Sequence, residues 1–178
     1  MKELKKLKIK PISMKKVQLL ICVVGLFCFT TVFGQNEKFK ALFIYNFTNY
    51  IEWPGGSNKT FVIAVIGDSP ILGELQAISK IKKVGSLPIE VLKVNSPVEA
   101  TNAQIVFVPG AKKKSLPEIS KALSGKPVLI ISDNAQGEFG INFIEIDQKQ
   151  SFQISKLNIE LRKMKVNSAL LALGIPVN

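Results

Sequence analysis

Residues 61–70 read FVIAVIGDSP, six consecutive apolar residues rich in β-branched side chains, then a glycine and a polar step into proline. A run with no apolar–polar alternation marks a strand buried on both faces, and such strands belong to parallel sheets with helices above and below. Gly67 ends the run, Asp68-Ser69-Pro70 offers an N-cap followed by proline, and Ile71, Leu72, Leu75, Ile78 and Ile81 recur at three- and four-residue spacing. This pattern predicts a helix running to about Lys83. Ile89–Val94 predicts the next strand, and its partial polarity (Glu90, Lys93) places it toward a sheet edge.

The unit repeats downstream. One helical turn is predicted after Pro97, a third strand at Ile105–Val108 closed by Pro109-Gly110, a helix over Ser115–Leu123, and a fourth strand at Val128–Ile131 ending in Ser132-Asp133. Ile141–Ile146 and Ser151–Ile154 alternate more regularly and predict an antiparallel hairpin across a longer turn at Asp147–Gln150. Lys156–Asn178 predicts one or two helices stopped by Gly174 and Pro176. The expected fold class is α/β: a three-layer sandwich whose sheet is mixed but mostly parallel, with an antiparallel hairpin at its end.

Upstream, residues 39–54 (FKALFIYNFTNYIEWP) predict an amphipathic helix. Phe39, Leu42, Phe43, Phe47, Tyr50 and Ile51 share its apolar face, Lys38, Lys40, Asn46 and Asn49 point elsewhere, and Pro54-Gly55-Gly56 ends it. Its aromatic content makes it a large share of the expected core.

Before this helix, Lys15 and Lys16 precede an uncharged run from Val17 to Phe33, the order of a secretory signal peptide with cleavage at Gly34/Gln35. An uncleaved membrane anchor is the competing reading, and Met14 is an alternative start. The expected organisation is a leader over residues 1–34 and a single α/β domain over residues 35–178. Seven lysines and one glutamate sit in the leader, so of 24 basic and 13 acidic groups, 17 and 12 belong to the domain, whose net charge is +5. That remainder is Lys-rich with a single Arg162, which argues against nucleic-acid recognition, where the guanidinium fork is preferred. Cys22 and Cys28 both lie in the leader and the chain has no histidine. Cysteine nucleophiles, Ser-His-Asp triads, histidine bases and Cys/His zinc sites are thereby excluded from the domain, and no cofactor or metal is expected.

Four constellations carry a functional reading beside a structural one. Gly67, Asp68 and Ser69 stand where a strand gives way to a helix and backbone N–H groups can hold an anion; the glycine-rich phosphate signatures are absent, which favours helix capping. Asp68 and Asp133 both end parallel strands and could share a crevice as a carboxylate pair, against turn and capping roles for each. Lys112-Lys113-Lys114 could touch anionic lipid, against simple solvation. Glu52 and Trp53, where the first helix stops, could form a partner-binding hot spot, against Trp53 plugging the end of the sheet.

The segments Tyr50-Ile51-Glu52-Trp53-Pro54, Phe61 to Gly67-Asp68, Ile105–Val108, Leu129-Ile130-Ile131-Ser132-Asp133, Gly140-Ile141-Asn142-Phe143, Phe152-Gln153-Ile154 and Met164-Lys165-Val166-Asn167-Ser168-Ala169-Leu170-Leu171 occur in an order similar to that of YfiR-like proteins. The resemblance covers nearly the whole domain. It implies a mixed-sheet α/β sandwich and an exported regulator, whose best-understood relatives bind the periplasmic part of a membrane diguanylate cyclase and hold it inactive. Cysteines common in the family are replaced by Ala64 and Ala103, so disulfide control does not carry over, and Ser155 stands where an asparagine is expected. The resulting expectation is a non-enzymatic, exported protein that binds a membrane signalling protein, a diguanylate cyclase or a sensor kinase, and modulates it. The alternative is a periplasmic receptor domain for a small ligand. A homodimer and a peripheral membrane contact both stay open.

Overall fold

An eight-stranded sheet runs through the protein in a computed structural model that describes residues 31–55 and 59–178, with side chains from Asn36 onward. The charged start of the expected leader and its apolar run to residue 30 lie outside the described residues; Thr31–Gly34 fall within the first helix. Residues 36–178 form one compact unit.

In chain order the elements are α1 (Thr31–Phe47), β1 (Ile51–Glu52), β2 (Phe61–Ile66), α2 (Ile71–Ser79), β3 (Lys83–Val84), β4 (Leu87–Val94) and β5 (Ile105–Val108). They continue with α3 (Leu116–Ala122), β6 (Leu129–Asp133), β7 (Ile141–Ile146), β8 (Lys149–Ile154), α4 (Lys156–Leu161), β9 (Lys165–Val166), α5 (Ser168–Leu173) and β10 (Ile175–Pro176). Two 3-10 turns, Pro97–Ala100 and Gly110–Ser115, flank β5. The sheet order is β10-β8-β7-β6-β5-β2-β4-β3. Strands β4, β2, β5, β6 and β7 are mutually parallel, β8 pairs antiparallel with β7, and β3 with β4. The expected class holds, and β4 lies near the edge, covered on its outer side by the two residues of β3.

The continuous apolar strands are buried on both faces for the reason their sequence predicts. Phe61, Ile63, Val65, Ile105, Phe107, Leu129 and Ile131 point into one core with α1, α2, α4 and α5, while Ala64, Ile66, Val106, Val108 and Ile130 point into a second core with α3. Ala64 and Ala103 pack in that second core. Gly140 marks a close approach: a Cβ there would sit 2.7 Å from a methyl of Leu129 and 3.1 Å from Ile159. Beside it, buried Asn142 accepts from Ser132 Oγ and the Ala135 amide, and donates to the Ala135 carbonyl and Gln153 Oε1. A satisfied buried amide of this kind fixes the 134–140 loop against three strands.

Several expectations are corrected. The first helix ends at Phe47, before Pro54: Thr48 Oγ1 donates to the Tyr45 carbonyl, three-residue hydrogen bonds tighten the last turn, and Ile51-Glu52 then pair antiparallel with Val166-Lys165 of β9. Its buried stripe is Lys40, Ala41, Ile44, Phe47 and Thr48, whereas Phe39 and Leu42 are 48% and 45% exposed. Small Ala41 lets the helix close on the sheet, and the stripe rotates accordingly. Helix α2 stops at Ser79, leaving Ile81 in solvent. No side chain caps α2, because Pro70 holds the N-cap position and Asp68 pairs with Lys93. The hairpin turn is a tight two-residue one, Asp147-Gln148, with φ of 49° and 62°, the signs of a type I′ turn.

Candidate functional site

The sheet changes direction of build at β2: the chain leaves it for β4 on one side and returns to β5 on the other. Such a reversal opens a crevice beyond the carboxyl ends of the strands, where open α/β sheets hold ligands. Gly67, Asp68 and Ser69 follow β2 there, Pro109-Gly110 follows β5, and Asp133 ends β6. Gly67 has φ +71°, and a Cβ on it would come within 3.0 Å of the Lys112 side chain, so a glycine lets that lysine lie across the strand end. Lys112, Lys113 and Lys114 are otherwise exposed.

The structure does not join Asp68 and Asp133 as a carboxylate pair. Strand β5 separates their strands, which puts two strand spacings, about 9.6 Å, between them. Asp68 is exposed and pairs with Lys93. Asp133 Oδ2 accepts from Lys40 Nζ at 2.7 Å, and the same ammonium donates to Glu37 Oε1 at 3.1 Å. Lys40 is 5% exposed. Burial works to lower its pKa, but the hydrogen bond and charge of Asp133, with those of Glu37, outweigh this and hold it above the ordinary lysine value.

The sign of that shift gives a pH prediction. A lysine whose folded pKa is raised contributes stability that is fully present below about 10.5, its unfolded value, and is lost as pH rises through the folded one. The stability difference between wild type and Lys40→Met should therefore be constant from neutral pH to about 10 and shrink above it. Urea midpoints measured across that range check it; a difference that grows with alkalinity contradicts the assignment.

Lys40 and Asp133 form one wall of a cavity of about 310 Å³. Asn36, Gly110, Lys113, Asn134, Ile144, Glu145 and Gln150 complete it. The expected site contained Asp133 and missed Lys40, Asn36 and Gln150. The available signal was a lysine four residues before buried Ile44, on the same helical face.

Glu52 and Trp53 lie at the opposite end of the sheet. Trp53 Nε1 donates to the Gln104 carbonyl at 3.0 Å and its ring meets Phe61 edge-on at 5.0 Å, the plugging arrangement. Glu52 is exposed, opposite Lys165 in the β1–β9 register.

A third feature is an open groove of about 500 Å³ between α1, β8 and α5, whose walls include Phe43, Phe47, Tyr50, Phe152 and Leu173. Phe39 extends the same apolar surface, its ring tilted against that of Phe43 with centroids 4.9 Å apart. Leu173 is 67% exposed. Strand β10 pairs with β8 only at Gln153 and Ile154, so Lys149–Phe152 form a sheet edge beside the groove. No helix among the described residues is long and apolar enough to cross a membrane, and none of their side chains assemble a group of three or more metal ligands.

Fold and surface together define a three-layer α/β domain with a polar cavity at its strand ends and an apolar groove along one helix. Residues 37–175 match the model of the YfiR/HmsC-like family, and the chain belongs to that family. No curated protein matches the chain. The family is one of regulators, associated with the periplasm and with membrane-bound partners.

Proposed function

We propose that this protein is exported by a cleavable leader and regulates a membrane signalling protein, a diguanylate cyclase or a sensor kinase, by binding its extracytoplasmic part. The observation that carries the reading is the family match over residues 37–175, which spans both cores and strands β1 to β9. The absence of histidine from the chain, and of cysteine from the domain, supports a binding role over a catalytic one. The apolar groove supports it further, since contiguous exposed apolar side chains mark interaction surfaces.

Export has its own check: N-terminal sequencing of protein from the extracytoplasmic fraction should start near Gln35, and soluble cytoplasmic protein with an intact leader opposes it. For binding, Phe39→Glu and Leu173→Asp change groove side chains that are already exposed. Each should reduce co-purification with the membrane partner by about tenfold or more, a loss of about 1.4 kcal/mol, while leaving the thermal midpoint in place. Glu52→Lys tests the opposite end of the sheet, the surface nominated by the sequence. Wild-type recovery of the partner by all three variants overturns the proposal.

A further inference from the structure

The cavity beside Asp133 has a chemistry that the protein's own contacts leave incomplete. Lys40 Nζ carries three hydrogens, and Glu37 and Asp133 accept two of them. Asn36 and Gln150 line the same cavity, and their side-chain oxygens are buried and accept no hydrogen bond from the described residues. A buried acceptor without a donor is costly, and here two of them belong to residues that line one space.

The lining carries both signs of charge. Lys40 and Lys113 face the space with Asp133 and Glu145, and Glu37 also pairs with Lys40, so a ligand of one sign meets repulsion as well as attraction. A ligand carrying both signs at separate ends is matched at each. Ile144 is the sole apolar side chain in the lining and no aromatic ring takes part, which suits a polar ligand rather than a ring. At about 310 Å³ the cavity lies at the lower end of the range for small-molecule sites.

We infer that this cavity binds a small zwitterion, a free amino acid with a short polar side chain. Its ammonium group donates to Asn36 Oδ1, Gln150 Oε1 and the Glu145 carboxylate. Its carboxylate accepts from Lys113 and from the third hydrogen of Lys40. Turning either amide by 180° exchanges an acceptor for a donor, and a zwitterion carries the partner for both. Gln150 also lines the apolar groove, so the two surfaces share a residue on β8. That link to regulation rests on the proposed function; the binding itself does not.

Isothermal titration of the purified protein with the common amino acids, and with acetate and methylammonium as single-charge controls, tests the inference. At least one short polar amino acid should bind saturably with a Kd below about 1 mM, and both controls about tenfold or more weaker. Lys113→Ala and Glu145→Gln alter exposed side chains and should each weaken binding by about tenfold with an unchanged thermal midpoint of the free protein. The inference is overturned if no amino acid binds with a Kd below about 1 mM, if either variant binds as wild type, if either control binds equally well, or if an aromatic amino acid is preferred. Because the readout is heat on the isolated protein, failure here leaves the membrane-partner reading standing, and loss of the partner leaves this site standing.

Discussion

Arg162→Ala should lower the unfolding free energy by about 1 to 3 kcal/mol, the cost of taking a charged donor from buried acceptors. The reason lies at the end of α3. That helix stops at Ala122, so its last carbonyls have no partner within the helix and carry the negative end of its dipole. Arg162, 7% exposed, donates to the Leu123 carbonyl through Nη1, and through Nη2 to the Ser120 carbonyl at 3.2 Å and to Ser120 Oγ at 2.9 Å. Ser120 Oγ in turn donates to Glu138 Oε2 at 2.8 Å, which ties in the loop before β7. Burial pulls the guanidinium pKa down and Glu138 opposes it; an arginine still stays charged at any pH where the protein folds. Arg162→Lys keeps the charge but loses the planar fork, so it should recover only part of the loss. Urea denaturation followed by Trp53 fluorescence measures both variants, and a loss below about 1 kcal/mol for alanine would mean the cap is dispensable.

The role of Arg162 could not be read from its neighbours in sequence, because its partners lie 39 and 42 residues away. What was legible was local. Ile105–Val108 and the core of β2 declare themselves by continuous β-branched residues, and Gly67 and Pro109 mark their ends. The two-residue strands β1, β3, β9 and β10 carry no such signal, since Ile51 becomes a strand residue only by meeting Val166. The sequence predicts a longer turn; neither Asp147 nor Gln148 is glycine, yet both adopt positive φ. For the site, Asp133 was legible as a strand-end carboxylate. Its partner was not, because apolar spacing puts Lys40 on the polar face of α1, and a buried lysine is recognisable only beside the carboxylate that holds it. The family-like segment Gly140-Ile141-Asn142-Phe143 now has a physical account: Gly140 avoids Leu129, and Asn142 holds the loop.

Phe47→Ala should cost about 3 to 5 kcal/mol, the usual penalty for emptying a fully buried aromatic site. Phe47 is 1% exposed and sits where α1 crosses the hairpin, with ring centroids 5.0 Å from Phe152, 6.0 Å from Phe143 and 5.9 Å from Phe43. Rings at these separations, edge-on to Phe152 and Phe43 and stacked on Phe143, add aromatic attraction to the area they bury, and each neighbour belongs to a different strand or turn of helix, so the space cannot close by a local shift. Phe39→Ala is the internal control, because the predicted apolar face put both phenylalanines in the core, while the structure leaves Phe39 about half in solvent. Its loss should stay below about 1 kcal/mol. Equal losses at the two positions in urea denaturation would restore the stripe predicted from spacing. The expected large difference places the rotation of α1 where Lys40 can reach Asp133, so the same pair of measurements bears on the geometry of the polar cavity.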